Sequence, residues 1–471
     1  MGAKLTPGGK MSEENRVGSV SPAASNELSR SLKSRHVSMI TFGGIIGAGL
    51  FVGSSTAVST IGPAAVISYA LAGFLVLLVM RMIAEMAMAS SGVQTFPDFA
   101  RVGIGDWAGY LVGWLYWYFW VVVIAVEAIA GAKIIHGWFP QFEIWQIGVS
   151  LMAILTAVNL MSAKSYGEFE FWFASTKVVA VIVFILVAAA YAMGITSPSG
   201  PTFANLTAHG GFAPAGIAVI FSGIATTIFA LCGAEIATLA AAESEAGAKT
   251  IAGMTLSVSV RILVFFVLSI LMIVSVVPWN EIEVGASPFA HAWRQMGYPA
   301  ADLIMNGIVL VAVLSCLNSG IYITSRAMFG LAKNGDAPQA CVTLSRSKVP
   351  ARAILIASLF SYGALAAAVI SPDRVFNFLV TSSGAIMLFI YILIAVAQLR
   401  LRKKLEAEDP SKLQIKMWLY PYGTWAAIAG MVAVLVMMGV SENHRMELWA
   451  SMNVAAVLWV TYLIKSRLRP R

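Results

Sequence analysis

Four glycines fall within seven residues of one apolar stretch, Phe42-Gly43-Gly44-Ile45-Ile46-Gly47-Ala48-Gly49-Leu50-Phe51. Glycine costs about 1 kcal/mol against alanine inside a helix. Backbone groups facing lipid cannot be left unpaired, so a helix that unwinds here must do so against a protein cavity. A small-residue packing face of the GxxxG kind is the alternative. That motif needs glycine only at four-residue spacing, and the denser cluster favours a break. A second interruption follows in Phe229-Ala230-Leu231-Cys232-Gly233-Ala234-Glu235, again with glycine inside an apolar run and now with a carboxylate beside it. Breaking the first stretch frees N–H groups at the N-terminus of its following half, where the helix dipole favours an anion. Ala48 and Gly49, with Ile45 and Gly47 alongside, would offer amides to a carboxylate. Breaking the second frees carbonyls near Phe229, Ala230 and Cys232, with Gly233 at the break, and these suit an ammonium group. Together the two breaks make a receptor for a zwitterion.

Three ionisable residues lie deep in apolar runs, where charge is costly and points to function. Glu127 sits in Val-Val-Val-Ile-Ala-Val-Glu-Ala and is counted with the binding residues; it could instead be a carboxyl hydrogen-bonded to a neighbour. Lys177 sits in Phe-Ala-Ser-Thr-Lys-Val-Val-Ala. It could exchange a proton, or stand where a coupling cation would sit against carbonyls of the broken first run; alternatively it snorkels to the interface. Glu235 could carry a coupling proton with Lys177, or merely cap broken backbone. Arg81 and Glu85, at i and i+4, suggest an interfacial salt bridge. No sodium cage is visible, so the expected energy source is a proton gradient, with no cofactor.

The elements that must position these groups are membrane spans. Of 471 residues, 59% are apolar and 11% charged, with a mean hydropathy of +0.80. Soluble domains are about a quarter charged, and each span needs about 20 apolar residues. Apolar runs place about twelve spans near 37–61, 63–90, 107–137, 143–163, 169–194, 214–240, 254–277, 300–332, 351–370, 374–399, 418–440 and 446–465. The expected fold is therefore an all-α polytopic membrane protein. Residues 1–36 read as a flexible cytoplasmic tail. A ten-helix core would follow over 37–400, as inverted repeats 37–194 and 214–400 with breaks in spans one and six. A loop, two appended spans and a basic end occupy 401–471.

Placing both termini in the cytoplasm puts every Lys and Arg on or near that side except Lys133, Arg294, Arg374 and Arg445. The formal charge of +8 then reports topology and contact with lipid headgroups, and nucleic acid is a poor second reading. Trp107, Trp114, Trp117, Trp138, Trp145, Trp279 and Trp418 fall near span ends, as interfacial anchors do. Cys232 and Cys316 lie in spans and Cys341 in a cytoplasmic loop, which argues against disulfides. The five histidines have no metal-ligand spacing, and no G-x-S-x-G or P-loop is present, so an enzyme is not expected. Two single breaks do not resemble the repeated pore linings of a channel. A transporter-like sensor stays open.

Further segments carry a resemblance. They include Leu32-Lys33-Ser34-Arg35-His36-Val37, Gly62-Pro63, Met80-Arg81-Met82-Ile83-Ala84-Glu85-Met86, Gly113-Trp114-Leu115-Tyr116-Trp117 and Glu127-Ala128. Later come Tyr166-Gly167-Glu168-Phe169-Glu170-Phe171-Trp172, Gly233-Ala234-Glu235-Ile236, Ser315-Cys316-Leu317-Asn318-Ser319, Gly335-Asp336-Ala337-Pro338 and Ser382-Ser383-Gly384-Ala385-Ile386. With the two breaks, the chain resembles amino-acid permeases of the amino acid–polyamine–organocation superfamily, most closely the bacterial γ-aminobutyrate (GABA) branch. The resemblance implies a LeuT-like fold of five-plus-five inverted repeats and proton-coupled import by alternating access at the bacterial inner membrane. The partners implied are a small amino acid, protons and membrane lipid, with a monomer or weak oligomer. It matches Lys177 to the span-five lysine that stands where sodium sits in related carriers, and Phe229 to the aromatic that closes over substrate. One departure is Gly247, where the family has a proline before Lys249.

Overall fold

The computed structural model describes residues 44–89, 95–161, 163–233, 235–236, 248–345, 348–367, 369 and 371–468. The leader and Gly43, and the segment holding Gly247, lie outside them. Among the described residues every regular element is helical. Span one resumes after its break as α1 (Ala48–Phe51) and α2 (Gly53–Ile61). Span two is α3 (Ala65–Ala89), and a short helix, α4 (Phe96–Gly103), precedes span three, α5 (Asp106–Trp138). Spans four and five are α6 (Ile144–Met161) and α7 (Ala163–Ala192). After the single turn α8 (Asn205–Ala208), span six enters as α9 (Ile217–Ser222) and α10 (Ile224–Leu231), and span seven is α11 (Ala248–Val276). A surface helix, α12 (Pro288–Gln295), leads to α13 (Pro299–Lys333) and α14 (Ala351–Ala367), spans eight and nine. Span ten is α15 (Pro372–Glu408), and α16 (Tyr422–Val440) and α17 (Arg445–Leu468) complete twelve.

Among the described residues eight stretches are long and apolar enough to cross a membrane, one of them being the continuous Ala48–Ala89. Three shorter apolar helices, Ile217–Leu231, Leu263–Val276 and Ala351–Ala367, supply the remainder. Span ten runs past its expected end at 399 as far as Glu408. The pairs Arg402–Glu406 at 2.7 Å and Lys404–Glu408 at 4.0 Å sit at i,i+4 and support that extra helix. The helices α4 and α12 were not foreseen, because each is eight residues long and too short to register as a span.

Corresponding spans of the two halves pack on each other: α1 on α10, α3 on α11, α5 on α13 and α6 on α14. This is the arrangement expected of two related five-helix units. The central helices are α5 and α15, whereas α6, α7, α16 and α17 turn apolar side chains such as Ile154, Leu186, Val436 and Val457 outward. Not every tryptophan is an anchor. Trp117 is buried, and Trp114 donates its indole N–H to the Asp336 carbonyl. Trp138, Trp145 and Trp418 do lie exposed near span ends.

Two ionic clusters tie the basic end together. The buried Asp336 carboxylate, just after α13, receives Arg101 from α4 and Lys465 from α17. The second cluster corrects the expected Arg81–Glu85 pair. Glu85 instead accepts from Arg402 at 2.7 Å, from Gln398 at 2.7 Å and from the Met417 amide. Arg81 donates to the Lys416 carbonyl at 2.9 Å and lies over the Trp418 ring. The pairing follows from burial: Glu85 is shielded and needs a charged partner, which α15 brings in Arg402, while the following loop adds the Met417 amide.

Removing one member of a buried pair strands the other, at a cost of about 3–5 kcal/mol. Glu85→Ala should therefore lower the melting temperature of the detergent-solubilised protein markedly. Arg81→Ala, at a more exposed contact, should shift it much less. Thermal-shift measurement of both variants checks this, and equal shifts would contradict it.

Candidate functional site

The break in span one centres on Gly47, whose backbone is extended at φ −135° and ψ −148°. The first turn of α1 closes with Phe51 N–H on the Gly47 carbonyl at 3.2 Å and Val52 N–H on the Ala48 carbonyl at 2.8 Å. The amides of Ala48 and Gly49 precede that ladder and have no acceptor within it. Ala48 N–H donates to both oxygens of the Glu127 carboxylate, at 2.9 and 3.0 Å. Gly49 N–H meets no backbone acceptor among the described residues. Both amides were expected to face a ligand; in this structure Ala48 is already engaged. A buried donor left unmatched costs about 1–3 kcal/mol, and Glu127 satisfies it.

Glycine is required here by close approach. A Cβ on Gly47 would stand 2.5 Å from a Glu127 oxygen and 2.6 Å from Cys316 Cβ. One on Gly49 would stand 2.8 Å from the Ala230 Cα, so the start of α1 lies directly against the end of α10.

Span six breaks where α10 ends. Cys232 is extended (φ −68°, ψ 149°), and Gly233 takes φ +120°, a region that side chains disfavour. Gly233 N–H donates to both oxygens of Glu235, at 3.1 Å each, and Tyr391 of α15 donates to the same carboxylate at 3.3 Å. Glu235 thus caps the broken backbone. That geometry was one of the two readings open from sequence, and it is compatible with the other. The carbonyls of Ala230 and Cys232 accept no backbone bond among the described residues.

Between the breaks is an enclosed cavity of about 10 Å³, about the room for a single water. Span one supplies Gly44, Ile45 and Gly49; span six supplies Phe229, Ala230 and Cys232. Helix α5 adds Phe119, Trp120, Val123 and Glu127, and α13 adds Cys316. Gly47, Ala48 and Gly233 lie behind this lining, at the breaks themselves. Phe229 is nearly buried and packs on Phe119, ring centroids 6.1 Å apart.

Lys177 is fully buried and does not snorkel. Its ammonium lies 3.8 Å from Glu170, two turns earlier on α7, and Ser315 of α13 donates to the same Glu170 oxygen at 2.5 Å. The Cys316 thiol, next to Ser315, donates to the Gly44 carbonyl at 3.3 Å. A chain of polar groups therefore runs from Lys177 to the span-one break.

Several of these residues were not singled out from sequence, although the signals existed. Glu170 is spaced seven residues from Lys177, which places both on one helix face. Tyr116, Phe119, Trp120, Val123 and Glu127 recur at three- and four-residue spacing, so marking Glu127 marks the face. Tyr391 had no such signal, because its role depends on how α15 crosses span six.

The amino acid permease family model matches residues 36–469. The chain is 46% identical to the γ-aminobutyric acid permease of Bacillus subtilis, with 93% of each protein covered. It is 42% identical to the γ-aminobutyric acid permease of Escherichia coli K12, covering 94% of this chain and 95% of that one. A D-serine/D-alanine/glycine transporter of Escherichia coli K12 is 34% identical over 90% of this chain and 91% of its own length. Among solved structures, a manganese transporter of Eremococcus coleocola matches with a TM-score of 0.58 at 13% identity, covering 91% and 92% of the two chains. That likeness shows the fold. With two broken spans meeting at an enclosed centre and the family match running almost end to end, this chain is an amino acid permease, a multi-pass membrane transporter of the amino acid–polyamine–organocation superfamily.

Proposed function

We propose that the chain imports a small zwitterionic amino acid, GABA or a related ω-amino acid, by proton-coupled alternating access across the bacterial plasma membrane, with both termini cytoplasmic. The observation that carries the reading is the meeting of the α1 amides, the α10 carbonyls and the Glu127 carboxylate at one closed cavity. A substrate carboxylate takes the Ala48 and Gly49 amides, displacing Glu127, and the freed Glu127 together with the Ala230 and Cys232 carbonyls receives the ammonium. The cavity is far too small for an amino acid, which fits a closed stage between two open ones. The GABA permeases at 42% and 46% identity support the ω-amino acid, and the transporter at 34% makes small neutral α-amino acids the second reading. Competition by a panel of amino acids against labelled GABA in proteoliposomes decides between them.

Among the described residues Glu127, Glu170 and Glu235 share this interior with Lys177, so proton occupancy sets its net charge. An inward proton gradient should drive accumulation without sodium; strict sodium dependence would sink the coupling. Lys177→Ala should abolish gradient-driven uptake while substrate binding stays measurable. Near-normal transport by Lys177→Gln would remove the residue from the mechanism.

Gly49→Val tests the carboxylate site. A side chain there meets the Ala230 backbone and blocks the amide, and losing a charge-assisted backbone bond costs about 1.5–3 kcal/mol. Substrate binding by calorimetry should weaken at least about tenfold. Gly307→Ala on α13, where an added Cβ meets nothing within 4 Å, should bind normally. Equal mild losses at both positions would mean that Gly49 serves only packing.

A further inference from the structure

At the end of the molecule opposite the basic clusters lies a second, much larger cavity of about 590 Å³, within the size range of small-molecule sites. Its walls carry both signs of charge. Lys133 and Arg294 face it, as do Glu283, Asp302 and Asp373. It reaches Val52, three residues beyond Gly49 of the closed centre. Along the chain between these two residues, Phe51 is fully buried against Phe289, centroids 4.9 Å apart, and Phe289 packs on Phe184 at 4.7 Å. About one helical turn of span one therefore separates this vestibule from the centre, and its Phe51 is packed into an aromatic cluster.

The cations of the vestibule are not equivalent. Arg294 is held by Asp302 through two contacts, at 3.1 and 3.2 Å. Lys133 of α5 pairs with Asp373 at the start of α15, and 59% of the Asp373 side chain is exposed. The pair lies against the backbone of Gly285, at φ +78°, where any side chain would strike Lys133 Nζ and approach Asp373 to 2.9 Å. Gly285 N–H is in turn bonded to Ser55 Oγ of α2 at 2.9 Å. Lys133 thus stands where span one, span three, span ten and the loop before α12 converge. An ion pair with so exposed a partner is weak, so an anion arriving from solution can replace Asp373.

We propose that this vestibule is a loading site for the zwitterionic substrate, in which Lys133 exchanges Asp373 for the substrate carboxylate while the vestibule acids receive the ammonium. The inference rests on the transport reading above and adds a recognition step before substrate reaches the central site. It gives Lys133 and Asp373 opposite roles, since Asp373 competes with the substrate for the same ammonium.

The test is the initial rate of labelled GABA uptake by full-length protein in proteoliposomes, with size-exclusion profiles confirming folded variants. Lys133→Gln should raise KM about three- to fivefold, the scale of a partly exposed charge contact, and Lys133→Arg should restore it. Asp373→Asn, which frees the ammonium, should lower KM. If wild-type protein takes up neither GABA nor any competing amino acid, the transport reading fails and this inference with it. If wild-type uptake is sound but Lys133→Gln leaves KM unmoved, or both variants raise it alike, the pair is structural and the inference alone is overturned.

Discussion

A backbone amide cut loose from its helix inside a membrane must find an acceptor within the protein. This molecule meets that demand twice in the same way. The Ala48 amide is matched by Glu127 and the Gly233 amide by Glu235, so each break carries its own buried carboxylate. Much of the local structure follows from this. Gly47 must lack a side chain so that Glu127 can reach past it, Gly233 must adopt its left-handed backbone, and Tyr391 must cross from α15 to complete the Glu235 cap. Because an amide and a carboxylate can each be claimed by a ligand bearing the opposite groups, these are the bonds that the proposed binding of a zwitterion would replace.

The pairing of corresponding spans explains how two breaks are brought to one point. Spans one and six lie against each other as do two and seven, or three and eight. The N-terminal end of one half-helix therefore meets the C-terminal end of the other. The contact of Gly49 with Ala230 is possible only because both residues are small. Helix α15 spans the molecule beside this axis, joined to α3 at one end through Arg402 and to α5 at the other through Asp373. Those joints tie α15 to one neighbouring helix at each of its ends.

The spans and the breaks were legible in the sequence because each depends on local composition: long apolar runs, clustered glycines and charges stranded among aliphatics. The identities of Glu127, Lys177 and Glu235 as buried groups followed from the same signal. What was not legible is who faces whom. Glu85 pairs across more than three hundred residues with Arg402, and no helical periodicity could prefer that over Arg81. The engagement of Ala48 by Glu127 likewise depends on how closely α5 approaches the unwound turn, a distance set by tertiary packing.

Asp336 is held by Arg101 on one side and Lys465 on the other, and its two partners are made at very different times. Chains emerge and fold from the N-terminus onward. Arg101 is therefore in place before Asp336 is synthesised, while Lys465 follows only with the twelfth span. Until then the carboxylate has one of its two cations, and the cluster that fastens α4, the end of α13 and α17 stays incomplete. The closing of the basic end thus waits for α17, which locks the earlier helices in place.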